Sequence, residues 1–241
     1  MADLIRLNKC FIVKRSAADR REKLSAAKLL SEYIFHTLQQ DQQHIWIAQR
    51  EGRAKDGNDL TNPAIISMLT LNKPKDVEFA DYLRQLRIVP VSISYEYDPC
   101  DISKARELQQ LEQQGSYDKP DNEDMRSIVN GITGQKGKVH VHFGKLIDGQ
   151  FDSAKQVAEE LDKEILAGYQ CYATALVADA MLLQLASKGN LDGFSPAAEQ
   201  QAACDYLQSR MAELSSAEQQ KLLAMYANAY RAQQAQASET D

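Results

Sequence analysis

The sequence lacks several features that mark common classes of protein. Its 241 residues include four cysteines, which lie far apart and form no Cys-x-x-Cys pair, so there is no zinc or thioredoxin-like pattern. No uninterrupted apolar run approaches the roughly 18 residues that span a bilayer, and the first residues contain no apolar core of a signal peptide. We therefore expect a cytoplasmic protein with buried free thiols.

An excess of positive charge is also absent. The chain has 28 lysines and arginines against 34 aspartates and glutamates, which gives a formal net charge of −6. Because nucleic-acid affinity comes largely from a basic face that neutralises phosphates, this balance argues against a nucleic-acid partner. The length fits one α/β domain with an appendage, or two small domains.

Hydrophobic periodicity predicts strands that alternate with helices through the first two thirds of the chain. Short apolar or alternating runs predict strands at 9–13, 44–48, 89–95 and 138–143. Helical spacing predicts helices over about 19–40, for two turns from Pro63, and over 102–114, 122–130 and 153–166. This alternation predicts an α/β fold in which a mixed sheet is flanked by helices.

The pattern changes near Tyr169, after which helical segments rich in Ala, Leu and Gln follow one another. We therefore predict a partial α/β domain at 1–168 and a helical appendage at 169–231. The last residues, 232–241, contain too little apolar surface to offset the cost of ordering and are predicted to be frayed.

The most informative segment is the charged stretch 49–59, which contains two glycines and follows a predicted strand. Loops at strand ends are where α/β domains build their sites. Arg50, Arg53 and Lys55 could converge on a phosphate, and Gly52 would allow a close approach of the backbone. The alternative is a solvated charged turn, because most charged surface loops have no such role.

The order of these motifs resembles that of the glycerol-3-phosphate and 1-acylglycerol-3-phosphate acyltransferases. Cys10-Phe-Ile-Val-Lys-Arg15 is similar to the second conserved block of that family, an apolar strand that ends in arginine. Glu51-Gly-Arg53 is similar to the third block, Glu-Gly-x-Arg, and Ile88-Val-Pro-Val-Ser-Ile-Ser-Tyr-Glu96, with Pro90, is similar to the fourth. The resemblance covers roughly residues 5 to 150.

The resemblance implies an acyltransferase of phospholipid biosynthesis that takes a fatty acyl group from acyl-CoA or acyl-ACP. The acceptor would be glycerol phosphate or a lysophospholipid, with peripheral contact at the inner face of the membrane. No metal or other cofactor is implied.

The same resemblance implies roles for individual residues. Arg15 and Arg53, with Lys14 beside them, would hold the acceptor's phosphate, and Glu51 would position its hydroxyl. The third block departs from the family pattern, since Glu51 stands two positions before Arg53 where the family has three. Arg50 occupies the position expected for the glutamate.

The family's first block, His-x4-Asp, supplies the base and should precede the strand at 9–13. The nine residues before Cys10 include no histidine, so no catalytic residue is assigned in this chain. The sequence leaves open an enzyme whose annotated start lies too late, a truncated chain, and a noncatalytic phosphate- or lipid-binding remnant of the same fold.

His36 and Asp41 match His-x4-Asp literally, but they lie between the second and third blocks. On a continuous helix, positions five apart lie about 140° apart around the axis. We therefore predict an exposed pair at a helix end whose side chains do not meet.

Two further patterns have structural explanations. His140 and His142 share one face of a predicted strand, but no third metal ligand is evident, so we expect cross-strand packing or partial exposure. Gly131–Lys138 has the wrong spacing for a nucleotide-binding loop and is predicted to be a basic turn.

Overall fold

The computed structural model describes residues 19–49 and 54–240. The described residues form two compact units. The first contains 19–49, 61–89 and 146–161, and the second contains 54–60, 90–145 and 162–240.

In the described residues, helices are the main elements. In chain order they are α1 (Arg20–Gln39), α2 (Pro63–Leu69), α3 (Phe79–Leu86), α4 (Asp101–Gln114), α5 (Glu123–Thr133), α6 (Ala154–Ala167), α7 (Ala173–Lys188), α8 (Gln201–Met211) and α9 (Ser216–Thr240). A 3-10 turn at Ala198–Gln200 precedes α8. The strands are β1 (Val91–Tyr95) and β2 (Val139–Phe143). None of these helices combines the length and apolar composition of a membrane span.

The first unit is built from α1, α2, α3 and the first part of α6. Asp19 caps α1 by accepting a hydrogen bond from the Glu22 amide at 2.8 Å, and Pro63 stands at the start of α2, where its missing N–H costs nothing. The core of this unit is formed by Ile34, Ile66, Leu69, Tyr82, Leu83, Leu86, Ile147, Val157 and Leu161.

The second unit contains both strands, α4, α5 and the three C-terminal helices. Its apolar core lies mainly among α7, α8 and α9. Fully buried side chains from these helices include Val177, Met181, Leu207, Leu222 and Leu223.

The two strands pair in antiparallel register, and their faces are reversed from the usual arrangement. Val91, Ile93 and Tyr95 lie opposite Phe143, Val141 and Val139 on one face, which is largely exposed, with Phe143 67% exposed. Ser92 and Ser94 lie opposite His142 and His140 on the other face, and both serines are buried. The sheet therefore turns its apolar side outward.

Helix α5 also turns its apolar side outward. None of its residues is buried, and Met125, Ile128, Val129 and Ile132 form an exposed apolar stripe with the spacing i, i+3, i+4, i+7. A different side of the helix faces the protein, where the Ser127 carbonyl accepts a contact from the Cys100 thiol at 3.6 Å.

The mixed α and β content is confirmed, but the predicted sheet is only partly present. Strands form at Val91–Tyr95 and Val139–Phe143, and the predicted helices form with small changes at their ends. The strand predicted at 44–48 is wrong, because this segment has no strand partner and leaves Trp46 67% exposed. The strand predicted at 9–13 lies outside the described residues.

The unit boundaries differ from the predicted boundary at residue 168. Helices α7 to α9 belong to the same unit as the sheet, and the division between units falls within α6, after Leu161. Helix α9 continues to Thr240, through most of the tail that was predicted at 232–241. Alanine, glutamine and glutamate all favour helix, and this propensity extends the helix beyond its buried part.

Candidate functional site

Most of the residues predicted to bind the acceptor lie outside the described residues. These are Lys14, Arg15, Arg50, Glu51, Gly52 and Arg53. Lys55 and Pro90 are described, and so is the rest of the charged segment after Arg53. The site is therefore built from residues 54–60 and from what they contact within the second unit.

Residues 54–60 lie directly on helix α9. Gly57 adopts a φ of +76°, and a Cβ atom at this position would collide with the Met225 carbonyl oxygen. The side-chain amide of Asn228, one turn further along α9, donates a hydrogen bond to the Asp56 carbonyl at 2.7 Å. Only glycine allows both this backbone conformation and this approach, so the second glycine of the charged segment has a packing role.

Lys55 points to helix α4. Its ammonium group contacts Glu107 Oε1. The Glu107 side chain is 9% exposed and that of Lys55 is 30% exposed. The cation that was predicted to contact phosphate is therefore already engaged by a mostly buried carboxylate.

Asp56 and Asn58 close a local turn within the same segment. Asp56 Oδ1 accepts the Asn58 amide at 3.1 Å, and Oδ2 accepts the Asn58 side-chain amide at 3.1 Å. Such side chain to backbone contacts favour a defined turn.

Pro90 is buried at the start of β1. Its carbonyl oxygen accepts the Gly144 amide at 2.9 Å. A proline cannot donate to a strand ladder, so this position before the first strand residue suits it. Pro90 is thus part of the frame that sets the register of the strands.

Beyond the end of β1, a buried acid is fully paired. Asp101 is 0% exposed. Arg210 Nε donates to Asp101 Oδ1 at 3.0 Å, and the hydroxyls of Tyr226 and Tyr206 donate to Oδ2 at 3.0 and 3.2 Å. The Tyr226 hydroxyl also accepts the Asp98 amide at 2.9 Å. A buried carboxylate requires such partners.

This Asp101 network favours fixed protonation states. Burial raises the pKa of Tyr206 to about 12 and that of Tyr226 well above its ordinary value, with Asp101 adding to both shifts. The hydrogen bond with Asp101 raises the pKa of Arg210. Both hydroxyls therefore remain donors at neutral pH, and the network anchors α4 to α8 and α9.

Three segments of the second unit come together near the end of β1. Burial raises the pKa of Tyr169 to about 12, and the nearby Cys171, Asp59 and Asp98 raise it further. Ser94 Oγ accepts the backbone amide of the turn after α6, at Gln170, at 2.9 Å.

Sequence reasoning did not identify the Asp101 network or Asn228. Asp101 resembles an ordinary acidic residue in the first turn of a helix, and Asn228 is a single polar residue in an alanine-rich helix. The available signal was the pair Tyr206 and Arg210, which are four residues apart and share a face of α8 with buried apolar residues.

His36 and Asp41, which match His-x4-Asp literally, are in contact with each other, contrary to the prediction. His36 Nδ1 lies 3.5 Å from Asp41 Oδ2. The helical angle did not apply because α1 ends at Gln39, which frees Asp41 to turn back toward the helix. The predicted exposed helix-end position is confirmed, since both side chains are more than half exposed.

The two histidines of β2 face the protein. Their rings stack with centroids 6.3 Å apart, and a Cβ atom on Gly168 would collide with the ring of His142. No group of three or more metal-ligating side chains occurs among residues 19–49 and 54–240.

The predicted basic turn begins later than expected. Helix α5 continues through Thr133, so Gly131 is helical. In the turn itself, Lys136 Nζ donates to the Gly134 carbonyl at 3.0 Å, close to the helix end where a cation is favoured.

Comparisons with family models, with curated proteins and with solved structures found no match to this chain.

Proposed function

We propose that this chain forms the acceptor-binding part of an acyltransferase of phospholipid biosynthesis. The observation that carries the proposal is the order of three motifs in the sequence: an apolar run that ends at Arg15, the Glu51-Gly-Arg53 segment, and the Val-Pro-Val strand. Each motif resembles the corresponding block of the glycerol-phosphate acyltransferases, and they occur in the same order. The acyl donor is acyl-CoA or acyl-ACP.

The proposed chemistry assigns binding to the arginines. A phosphate dianion is held well by guanidinium groups, whose N–H donors match its oxygens in pairs. The acceptor hydroxyl attacks the thioester carbonyl, an ester bond forms, the carbon–sulfur bond breaks, and the thiol leaves as the hydroxyl proton passes to a base. No residue of this chain is assigned as that base.

The described geometry supports the proposal in two respects. The segment that follows Arg53 is held in one conformation by contacts with α4 and α9. Asp59 in this segment and Asp98 after β1, the strand that resembles the fourth block, both raise the pKa of Tyr169. A binding loop gains precision when rigid elements support it.

The second candidate is a noncatalytic phosphate- or lipid-binding remnant of the same fold. Such a protein needs the phosphate-binding arginines and does not need a base. The two candidates share the binding residues and differ in whether an acyl group is transferred.

The test is an acyl-transfer assay with labelled acyl-CoA and acyl-ACP as donors and sn-glycerol 3-phosphate and lysophosphatidate as acceptors. It should be run on the 241-residue chain and on a longer protein that also includes the residues encoded by any in-frame sequence upstream of Met1. Transfer by either protein supports the enzyme. Acceptor binding without transfer by both supports the noncatalytic candidate, and the absence of both binding and transfer contradicts the proposal.

A further inference from the structure

We propose that helix α5 is a self-association surface, through which two copies of this chain form an antiparallel pair. The surface is the outward side of the helix, which consists of Met125, Ile128, Val129 and Ile132 and which we call the α5 stripe. Pairing through this surface is independent of acyl transfer.

The α5 stripe faces away from the contacts that hold the helix. Its four side chains are 44% to 74% exposed. On a different side of the helix, the Ser127 carbonyl meets the Cys100 thiol, and Glu123 accepts the Tyr117 hydroxyl at 2.6 Å. A helix of 11 residues obtains most of its stability by packing an apolar face. In α5 that face is turned to solvent.

The two ends of α5 differ in charge. Residues 118–124 contain four acidic side chains and one lysine. After the helix come Lys136 and Lys138, which outnumber the neighbouring Glu96 carboxylate, the acceptor of the Lys138 amide at 2.9 Å. An apolar stripe between an acidic end and a basic end is complementary to the same surface turned by 180°. The charges therefore favour a second copy of this chain as the partner.

A two-fold axis through the middle of the α5 stripe gives a specific pairing. Met125 of one copy then lies against Ile132 of the other, and Ile128 lies against Val129, in the seam that the spacing i, i+3, i+4, i+7 creates. Because the helices run antiparallel, the acidic end of each copy meets the basic end of the other. A parallel pair would place the acidic ends together and is disfavoured.

The exposed area determines how strong this pair can be. Four apolar side chains that are about half exposed present on the order of 400 Å² per copy, which is near the largest patch that a monomer usually exposes. Two copies then bury less than about 1,200 Å², the range of transient complexes. We therefore expect a reversible dimer with a Kd on the order of 100 µM.

A lipid surface fits α5 less well than a second copy does. Amphipathic helices that lie on membranes are rich in lysine and arginine on their polar face, which attracts anionic headgroups. The first turn of α5 contains Glu123 and Asp124, and Arg126 is its single basic residue. An anionic membrane would repel this acidic end.

Sedimentation equilibrium of the 241-residue chain, from about 5 to 500 µM, tests the pairing. We expect a monomer–dimer equilibrium, and Ile132→Glu should raise its Kd by about tenfold or more because it places a charge in an apolar seam. Val141→Glu is the matched control, since Val141 is an exposed apolar residue on the sheet, and it should leave the Kd unchanged. Both positions are exposed, so neither variant disturbs a core.

A charge exchange tests the antiparallel orientation. One variant carries Asp118→Lys with Asp121→Lys, and the other carries Lys136→Glu with Lys138→Glu. Each variant alone should dimerise about fivefold more weakly, because its two ends have the same sign. An equimolar mixture should recover the dimer, since each end again meets an opposite charge.

Three outcomes would overturn the pairing. The first is a chain that stays monomeric at every concentration. The second is a dimer that Val141→Glu weakens and Ile132→Glu does not, which would assign the interface to the sheet. The third is a mixture of the charge variants that dimerises no better than either alone. Vesicles of phosphatidylcholine and phosphatidylglycerol complete the test, because a monomer that binds them and loses this binding in Ile132→Glu would make α5 a lipid-binding surface instead.

Discussion

At the scale of single residues, the stability of the second unit depends on how a buried charge is satisfied. The Asp101 carboxylate has no exposed surface, and its oxygens accept hydrogen bonds from one guanidinium group and two phenols. Removing one member of such a network leaves a buried donor, acceptor or charge without its partner. This costs more free energy than the complete set of contacts contributes.

This reasoning predicts a large effect for a small change. Asp101→Asn should lower the free energy of unfolding by about 3 kcal/mol, because Arg210 loses its counter-charge. Asp205→Asn, at an exposed position on α8, should change it by less than about 0.5 kcal/mol. Urea denaturation at neutral pH measures both values, and similar effects from the two variants would contradict the assigned role of Asp101.

The tyrosines beside Asp101 predict a dependence on alkaline pH. The folded-state pKa of Tyr206 is raised to about 12 and that of Tyr226 is raised well above the ordinary value of 10.0. Since a raised pKa favours the neutral phenol in the folded state, the corresponding stability is complete below pH 10 and falls as the pH rises toward and above 12. Tyr226→Phe should make this fall shallower in urea titrations at increasing alkaline pH, and an unchanged slope would contradict it.

At the scale of secondary-structure elements, the start of α9 illustrates a reciprocal cap. Glu218 Oε2 accepts the Ser215 amide at 2.8 Å, and the Glu218 amide donates to Ser215 Oγ at 3.4 Å. The Ser215 amide and, next, the Ser215 hydroxyl, which donates to Glu218 Oε2 at 2.8 Å, lower the pKa of Glu218 from its ordinary value of 4.5. The cap therefore stabilises α9, the helix that Asp56 and Gly57 contact.

The cap predicts a dependence on acidic pH. A lowered carboxyl pKa gives stability that is complete above pH 4.5 and is lost as the pH falls through the folded-state value. Glu218→Ala should cost about 1 kcal/mol of unfolding free energy at pH 7, and less as the pH falls below this range. The exposed Glu213→Ala serves as control. A cost that does not vary with pH would contradict the carboxylate's role.

Local patterns predicted most of the elements. The alternation in Val91–Tyr95 and Val139–Phe143 predicted both strands. Helix α3 was not predicted, although Phe79, Tyr82, Leu83 and Leu86 show helical spacing. His44–Ala48 was assigned as a strand from composition, although a strand also needs a partner. Composition alone does not provide this information.

The orientation of the sheet could not be predicted from alternation. A period of two identifies a strand and leaves open which face is buried, and the apolar face is usually the buried one. Here Ser94 accepts the Gln170 amide and His142 packs on Gly168. The inward face is therefore set by contacts with the turn at 168–172. Gln170 lies 76 positions after Ser94, a separation that no local window contains.

At the scale of the whole molecule, the second unit joins segments that are distant in sequence. Asn228 contacts Asp56 across 172 positions, and Tyr226 contacts Asp101 across 125. Local periodicity placed a boundary at residue 168 because it detects only a change in pattern. The C-terminal helices instead share a unit with residues 54–60 and with both strands.

The proposed function requires Arg15 and Arg53 to hold the same phosphate. The most direct measurement is a double-mutant cycle on affinity for sn-glycerol 3-phosphate with Arg15→Ala, Arg53→Ala and the double variant, and with the exposed Arg126→Ala as control. Each single change should weaken binding by about 10- to 100-fold, and the double variant should lose less than the product of the two effects. An affinity that neither single variant changes, or that Arg126→Ala weakens equally, would contradict the claim.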